Sequence, residues 1–178
     1  MTQPAIGTTT EGNSANLPKK TNPQAWYKPT FSPEHGVYII LLVSFLTGAA
    51  AAQNWTLLTT FALVCAFFGF QAEHPLVLQI KQRKSIKSRF LVWGGFYSII
   101  SLGIALWLYL KYPIVLWIYL GALAALIIDG ISVFQRDQKS IFNEIITFAA
   151  VCLSAPFAYA VTTGKIDLIA ISLWLINT

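Results

Sequence analysis

A chain of 178 residues with 56% hydrophobic and 11% charged residues has too little polar surface for a water-facing globule, where about 25% charged residues is usual. Its mean hydropathy of +0.61 says the same, and several apolar runs approach the roughly 18–20 residues that span a bilayer as helix. The formal charge of +5 and the isoelectric point near 9.3 come from basic residues flanking apolar runs. That pattern points to orientation in a bilayer and attraction to anionic headgroups, and it excludes the basic-aromatic surface of a nucleic-acid binder.

Taken in chain order, residues 1–30 are rich in Thr, Asn, Gly, Pro and Gln and lack the apolar core of a secretory signal. A disordered cytosolic tail is expected there, with 31–178 forming the transmembrane helical domain. The first span is predicted over 37–52 and ends in the small-residue run GAAAA, a face that permits close helix approach. Gln53 and Asn54 make a tight turn, and the second span follows over 55–72. A polar segment, EHPLVLQIKQRKSIKSR, separates it from the third span at 90–110. After KYP comes the fourth, 114–134, and after QRDQKS the fifth, 141–161, with Pro156 inside it. The last apolar stretch, 166–176, reaches only roughly 16 Å as helix, against a hydrocarbon core of about 30 Å. The chain is therefore expected to be cut short here or to end in a partial helix. The expected fold is all-α: a polytopic transmembrane helix bundle of five full spans plus a partial sixth.

Charge orients the bundle. With a cytosolic N-terminus, the inner segments hold Lys19, Lys20, Lys28, Lys81, Arg83, Lys84, Lys87, Arg89, Arg136 and Lys139, while the outer turns hold Lys111 and Lys165. Such a bias follows the positive-inside rule. It places Glu34, His35, Glu73, His74, Asp129, Arg136, Asn143 and Glu144 at one membrane face, with Asp167 on the other.

Each of these residues has an ordinary explanation beside a functional one. Ser32 is a natural N-cap with Pro33 and Glu34 in the first turn, and Ser140 is the same for the helix that carries Asn143 and Glu144. His35 and His74 suit plain polar contacts at the interface. Asp129 lies inside ALAALIIDGISVF, where an ionised carboxylate costs about 2.5 kcal/mol or more at full depth, so it should face the bundle interior and find a partner. Arg136, seven residues on, shares nearly the same helix face. A structural contact to Arg136 or a lysine therefore stands beside a functional role.

Several sharper chemistries lack their residues. DG at 129–130 matches only the start of the CDP-alcohol phosphotransferase motif, and the Asp-rich Mg²⁺-diphosphate sites of intramembrane prenyltransferases are missing. HExxH, GxSxG and a Gly-rich phosphate loop are absent. Cys65 and Cys152 sit inside apolar runs with no CxxC or Cys/His spacing, as small hydrophobes do. A metal held by His35, His74 and nearby carboxylates is chemically allowed. No spacing enforces it, so no metal and no cofactor is expected.

Three stretches carry a resemblance: Glu34-His35-Gly36 with Tyr38 at the first span, the HP closing the second, and FQRDQKSIFNE at 134–144. Together they resemble the YwiC-like family of bacterial membrane proteins over about 31–178. The positions that match are His35, Gly36, Tyr38, Arg136, Asn143 and Glu144. Val37 stands where alanine is common in the family, and members continue past LWLINT with further helices. The resemblance implies a multi-helix inner-membrane protein and attaches no reaction to it.

The expected function is thus that of an integral membrane protein whose polar cluster of Glu34, His35, Tyr38, Glu73, His74, Asp129, Arg136, Asn143 and Glu144 binds an anionic or amphiphilic ligand or serves transport. The alternative is an enzyme acting on a lipid or isoprenoid at the cytosolic interface, with His35 or Glu144 as acid or base. No complete catalytic constellation supports that alternative. Expected surroundings are the lipid bilayer of a bacterial inner membrane or an internal photosynthetic membrane. A second copy or another membrane subunit, docking on the face of Gly48 to Ala52, is the candidate protein partner.

Overall fold

A computed structural model describes residues 29, 35–82, 88–135 and 141–178. Ser32, Glu34, Arg136, Ser140 and the predicted tail, Pro29 apart, lie outside the described residues, as does the side chain of His35. Every regular element among the described residues is helical.

Helix α1, His35–Ala51, ends in a turn where Gln53 takes a left-handed φ of 53°. Helix α2, Leu57–Lys81, starts on a reciprocal cap: Thr56 Oγ1 accepts the Thr59 N–H while Thr59 Oγ1 accepts the Thr56 N–H, which satisfies donors the helix start leaves open. The predicted end of this span at residue 72 is too early. The segment expected to separate the spans begins as nine further residues of α2, passing through Pro75. Proline costs a helix its hydrogen bond four residues back. Here Pro75 is buried, and the α3 backbone at Gly94 approaches it so closely that an added Cβ would lie 3.4 Å from its ring. Apolar packing thus holds the continuation, and Lys81 in the last turn suits the negative end of the helix.

Helix α3 runs Ser88–Lys111, and a 3-10 turn, Pro113–Val115, leads into α4, Leu116–Gln135. The predicted fifth span is broken in two: α5, Ile141–Cys152, and α6, Ser154–Thr163. Pro156 has no N–H to give the Cys152 carbonyl, and its ring crowds that carbonyl. The chain tightens at the break, where the Leu153 N–H bonds the Ala150 carbonyl at 3.1 Å. Helix α6 stops at Gly164, whose φ of 72° suits the left-handed cap. Helix α7, Leu168–Asn177, is capped by the Asp167 carboxylate, which accepts the N–H groups of Ile169 and Ala170.

Four segments are long and apolar enough to cross a membrane: α2, α3, 113–135 and 141–163. Helices α1 and α7 are apolar but shorter. Large apolar side chains such as Ile99, Leu102, Leu110 and Trp117 face outward, as the lipid-exposed surface of a membrane bundle requires.

The tightest crossing joins α1 to α6. A Cβ on Gly48 would lie 1.9 Å from the Ala155 carbonyl oxygen, so the two backbones touch. The same seam carries the Ser154 hydroxyl, which donates to the Leu41 carbonyl at 3.1 Å. Gly48 and Ala49 are buried inside the chain, so this part of the predicted docking face is already occupied by α6. Phe45, Leu108, Val115 and Val161 fill the core beside it. Hydrogen bonds mark the two ends of the bundle. Thr59 meets Thr162 at one end, at 2.8 Å. At the other, Tyr38 donates to Gln71 at 2.6 Å and Asn143 to Asp129 at 2.8 Å.

Candidate functional site

The site is a gap between consecutive helices. Helices α3 and α4 share a bond from the Tyr119 hydroxyl to the Ala105 carbonyl (3.2 Å), near the turn that joins them. Beyond it α4 packs on α2 and α5, not along α3. The space left is a cavity of about 430 Å³, walled by α2, α3, α4 and the α5–α6 break, with Leu41 of α1 also reaching it. Leu153, Ser154 and Phe157 at the break all line it. Interrupted helices inside membranes are tolerated where they are buried in protein or border a cavity, and Pro156 produces that arrangement here.

Most of the lining is apolar. Its charged side chains are Glu73 from α2 and Asp129 from α4, the latter near the end of α4 that meets Asn143. Cys65, Ser101 and Tyr119 add weakly polar groups further along. Ser101 Oγ donates to the Cys65 carbonyl at 3.0 Å, so its hydroxyl is engaged with a backbone acceptor.

Of the predicted cluster, Asp129 and Glu73 share this cavity. Asn143 is buried and donates Nδ2 to Asp129 Oδ1 at 2.8 Å, while its own Oδ1 has no partner among the described residues. Tyr38 stands behind the wall: its hydroxyl bonds Gln71 Oε1, and its ring meets Phe70, a lining residue, edge-on at 5.2 Å. His74 is half-buried one residue from Glu73 and does not line the cavity. Glu144 is exposed in the first turn of α5, away from the lining. Glu34, Arg136 and the His35 side chain lie outside the described residues. Among the described residues no three His, Cys, Asp or Glu side chains gather closely enough to hold a metal ion.

Sequence reasoning missed Cys65, Ser101, Tyr119 and Thr147 as lining residues. Nothing local marks them, because a cavity forms only where two helices part. Asp167 serves another purpose at the far end. Partial burial pushes its carboxyl up, but bonds from the Ala170 N–H, the Tyr159 hydroxyl (3.0 Å to Oδ2) and the Ile169 N–H outweigh that and hold it below the usual carboxylate range.

Residues 31–159 match the model of the family described as YwiC-like protein, which is more than half of the chain. The chain belongs to the YwiC-like family. No curated protein and no solved structure matches it. The YwiC-like segment contains α1 to α5 and part of α6, and every cavity-lining residue falls within it, from Leu41 to Phe157. Helix α7 follows the matched segment. Apolar helices and family together make this YwiC-like chain a membrane protein.

Proposed function

We propose that this membrane protein holds an amphiphilic molecule in the cavity between α3 and α4, its apolar part among the helices and its head at Glu73 and Asp129. The observation that carries this reading is the lining itself: apolar for most of its length, with two carboxylates. Ligand sites are usually of this kind, mostly apolar with a few placed polar groups, and of about 300–1,000 Å³. Five crossings with a cytosolic N-terminus in a bacterial inner membrane complete the reading. The distribution of Lys and Arg supports that orientation, and it puts the carboxylates toward the cytosolic side.

Retention of endogenous amphiphiles tests the cavity. Protein purified in mild detergent should carry a defined amphiphile, detected by mass spectrometry after solvent extraction. An Ala122→Phe/Ala125→Phe variant, which fills the space from α4, should lose it. The same molecules in the same amounts on both proteins would sink the reading. For orientation, single cysteines at Ser85 and Lys139 should react from the cytosolic side and one at Lys165 from the opposite side. Reversed labelling would overturn the topology.

A further inference from the structure

We propose that the head of the occupant is an uncharged hydroxyl held by Thr147 of α5, which makes the occupant a membrane-resident long-chain alcohol, aliphatic or prenyl. This rests on the reading that the cavity takes an amphiphile.

The wall leaves one hydroxyl unengaged. The hydroxyl-bearing residues that line the cavity are Ser101, Tyr119, Thr147 and Ser154. Ser101 donates to the Cys65 carbonyl at 3.0 Å, Tyr119 to the Ala105 carbonyl at 3.2 Å and Ser154 to the Leu41 carbonyl at 3.1 Å. Threonines elsewhere in these apolar helices give their hydrogen to the carbonyl four residues back, as hydroxyls within helices often do: Thr47 at 2.8 Å, Thr162 at 2.7 Å and Thr163 at 2.9 Å. Thr147 departs from that habit and makes no hydrogen bond among the described residues. Asn143, Thr147, Ala150 and Val151 recur at helical spacing on one face of α5. The last three line the cavity, and Asn143 holds Asp129. A hydroxyl left unbonded in apolar surroundings is costly, and the head of an occupant relieves that cost.

The neighbours of Thr147 select the head. One turn back along α5, about 6 Å, Asn143 Nδ2 donates to Asp129 Oδ1, which brings the carboxyl of a second lining residue to the same end. An alcohol is donor and acceptor at once. It accepts from Thr147 while donating to a carboxylate, or accepts from a carboxylic acid while donating to Thr147, so either protonation state of Asp129 suits it. The route favours the same head. Leu102 of α3 and Leu123 and Leu126 of α4 line the cavity and are also exposed on the outer surface, so the cavity wall continues into the lipid-facing surface. A charged head passing these leucines is stripped of water with no polar group to replace it. A hydroxyl loses only a few hydrogen bonds there, and Thr147 and Asp129 restore them. The stretch of α4 from Tyr119 to Asp129 rises about 15 Å, room for an extended chain of medium length with its head at Thr147.

The experiment partitions radiolabelled probes of one chain length, dodecanol, dodecane, dodecylamine and dodecanoate, between protein-loaded and empty phosphatidylcholine nanodiscs at pH 7. Dodecanol should show the largest protein-dependent excess. Thr147→Val keeps the shape, removes the hydroxyl and should cut that excess about fivefold, the scale of one neutral hydrogen bond. Thr147→Ser should restore most of it. Dodecane should show a smaller excess that neither variant changes, which also reports that the cavity has formed. Thr147→Ala supplies the same comparison if the valine variant fails to fold. The Ala122→Phe/Ala125→Phe variant should abolish the excess of every probe. If dodecylamine or dodecanoate exceeds dodecanol, or if the dodecanol excess survives loss of the Thr147 hydroxyl, the hydroxyl head is wrong and the amphiphile cavity survives. If no probe exceeds the empty discs, both fall.

Discussion

Two helix pairs in this bundle follow opposite rules. Helices α1 and α6 are far apart in the chain, with bonded residues 113 positions apart, yet their backbones touch at Gly48 and Ala155. Helices α3 and α4 are joined by a short turn and part soon after it. Burial follows the same division: 56% of the apolar stretch of α5–α6 is buried, against 11% in the stretch containing α4. The difference lies in the side chains. Lipid tails are as apolar as leucine, so helices associate in a membrane mainly by close packing and hydrogen bonds. Gly48, Ala49 and Ser44 on one side and Ala155, Ala158 and Ser154 on the other allow that approach. Helix α4 presents Leu120, Leu123, Leu126 and Ile127, which suit lipid as well as protein. Proximity in sequence therefore does not decide which helices seal and which leave a space.

The sharpest way to break this contrast is at Gly48. Gly48→Leu drives a side chain into the Ala155 backbone and should cost about 3 kcal/mol or more, at the upper end of overpacking, read as a large loss of thermal stability in detergent. Full stability in that variant would mean the α1–α6 seam is not the tight one. Next comes Thr59, whose hydroxyl serves both the α2 cap and the Thr162 contact with α6. Thr59→Val should lower stability by about 1–2 kcal/mol, and Thr162→Val in the same background should add little if the two share one interaction.

A smaller effect tests the cap of α7. The Asp167 carboxyl is held below its ordinary range, so its contribution is complete above the unfolded value of about 3.9 and is lost as pH falls through the lower folded value. Melting curves of wild type and Asp167→Asn, compared as pH is lowered from 5, should converge in that acidic window. Parallel curves would mean the carboxylate's bonds contribute nothing. Smallest of all is Gly103→Ala on the open side. Apart from the adjacent residues and the helix's own backbone, nothing lies within 4 Å of the added Cβ, and stability should rise by no more than about 1 kcal/mol. A marked loss there would show that α3 has a neighbour on the side described as open.

Hydropathy placed the spans because lipid-crossing helices must be apolar over a set length, and the all-helical architecture follows from that. Boundaries were less legible. The polar segment that opens at Glu73 suggested an end at residue 72, while the close approach of Gly94 to Pro75 sustains the helix to Lys81. Pro156 stood inside a fifth span expected to be continuous, and neither the break it makes nor the cavity that break borders was legible. The caps at Thr56 and Asp167 were unanticipated. In the site, Asp129 was legible because a buried carboxylate needs a partner. That the partner is Asn143 was not, since it depends on how α4 meets α5. The cavity itself left no local trace, because its walls come from six of the seven helices and from their failure to close.

The seam between α1 and α6 also sets an order of assembly. Helix α1 leaves the ribosome first, and its partner surface at Ser154 and Ala155 is made more than a hundred residues later. At about 5–20 residues per second, the glycine face of α1 waits in the bilayer for on the order of ten seconds before it can be covered. During that interval α2, α3 and α4 are all inserted. Substitutions at Gly48 therefore act twice, once on the finished bundle and once on how long a half-built one stays unclosed.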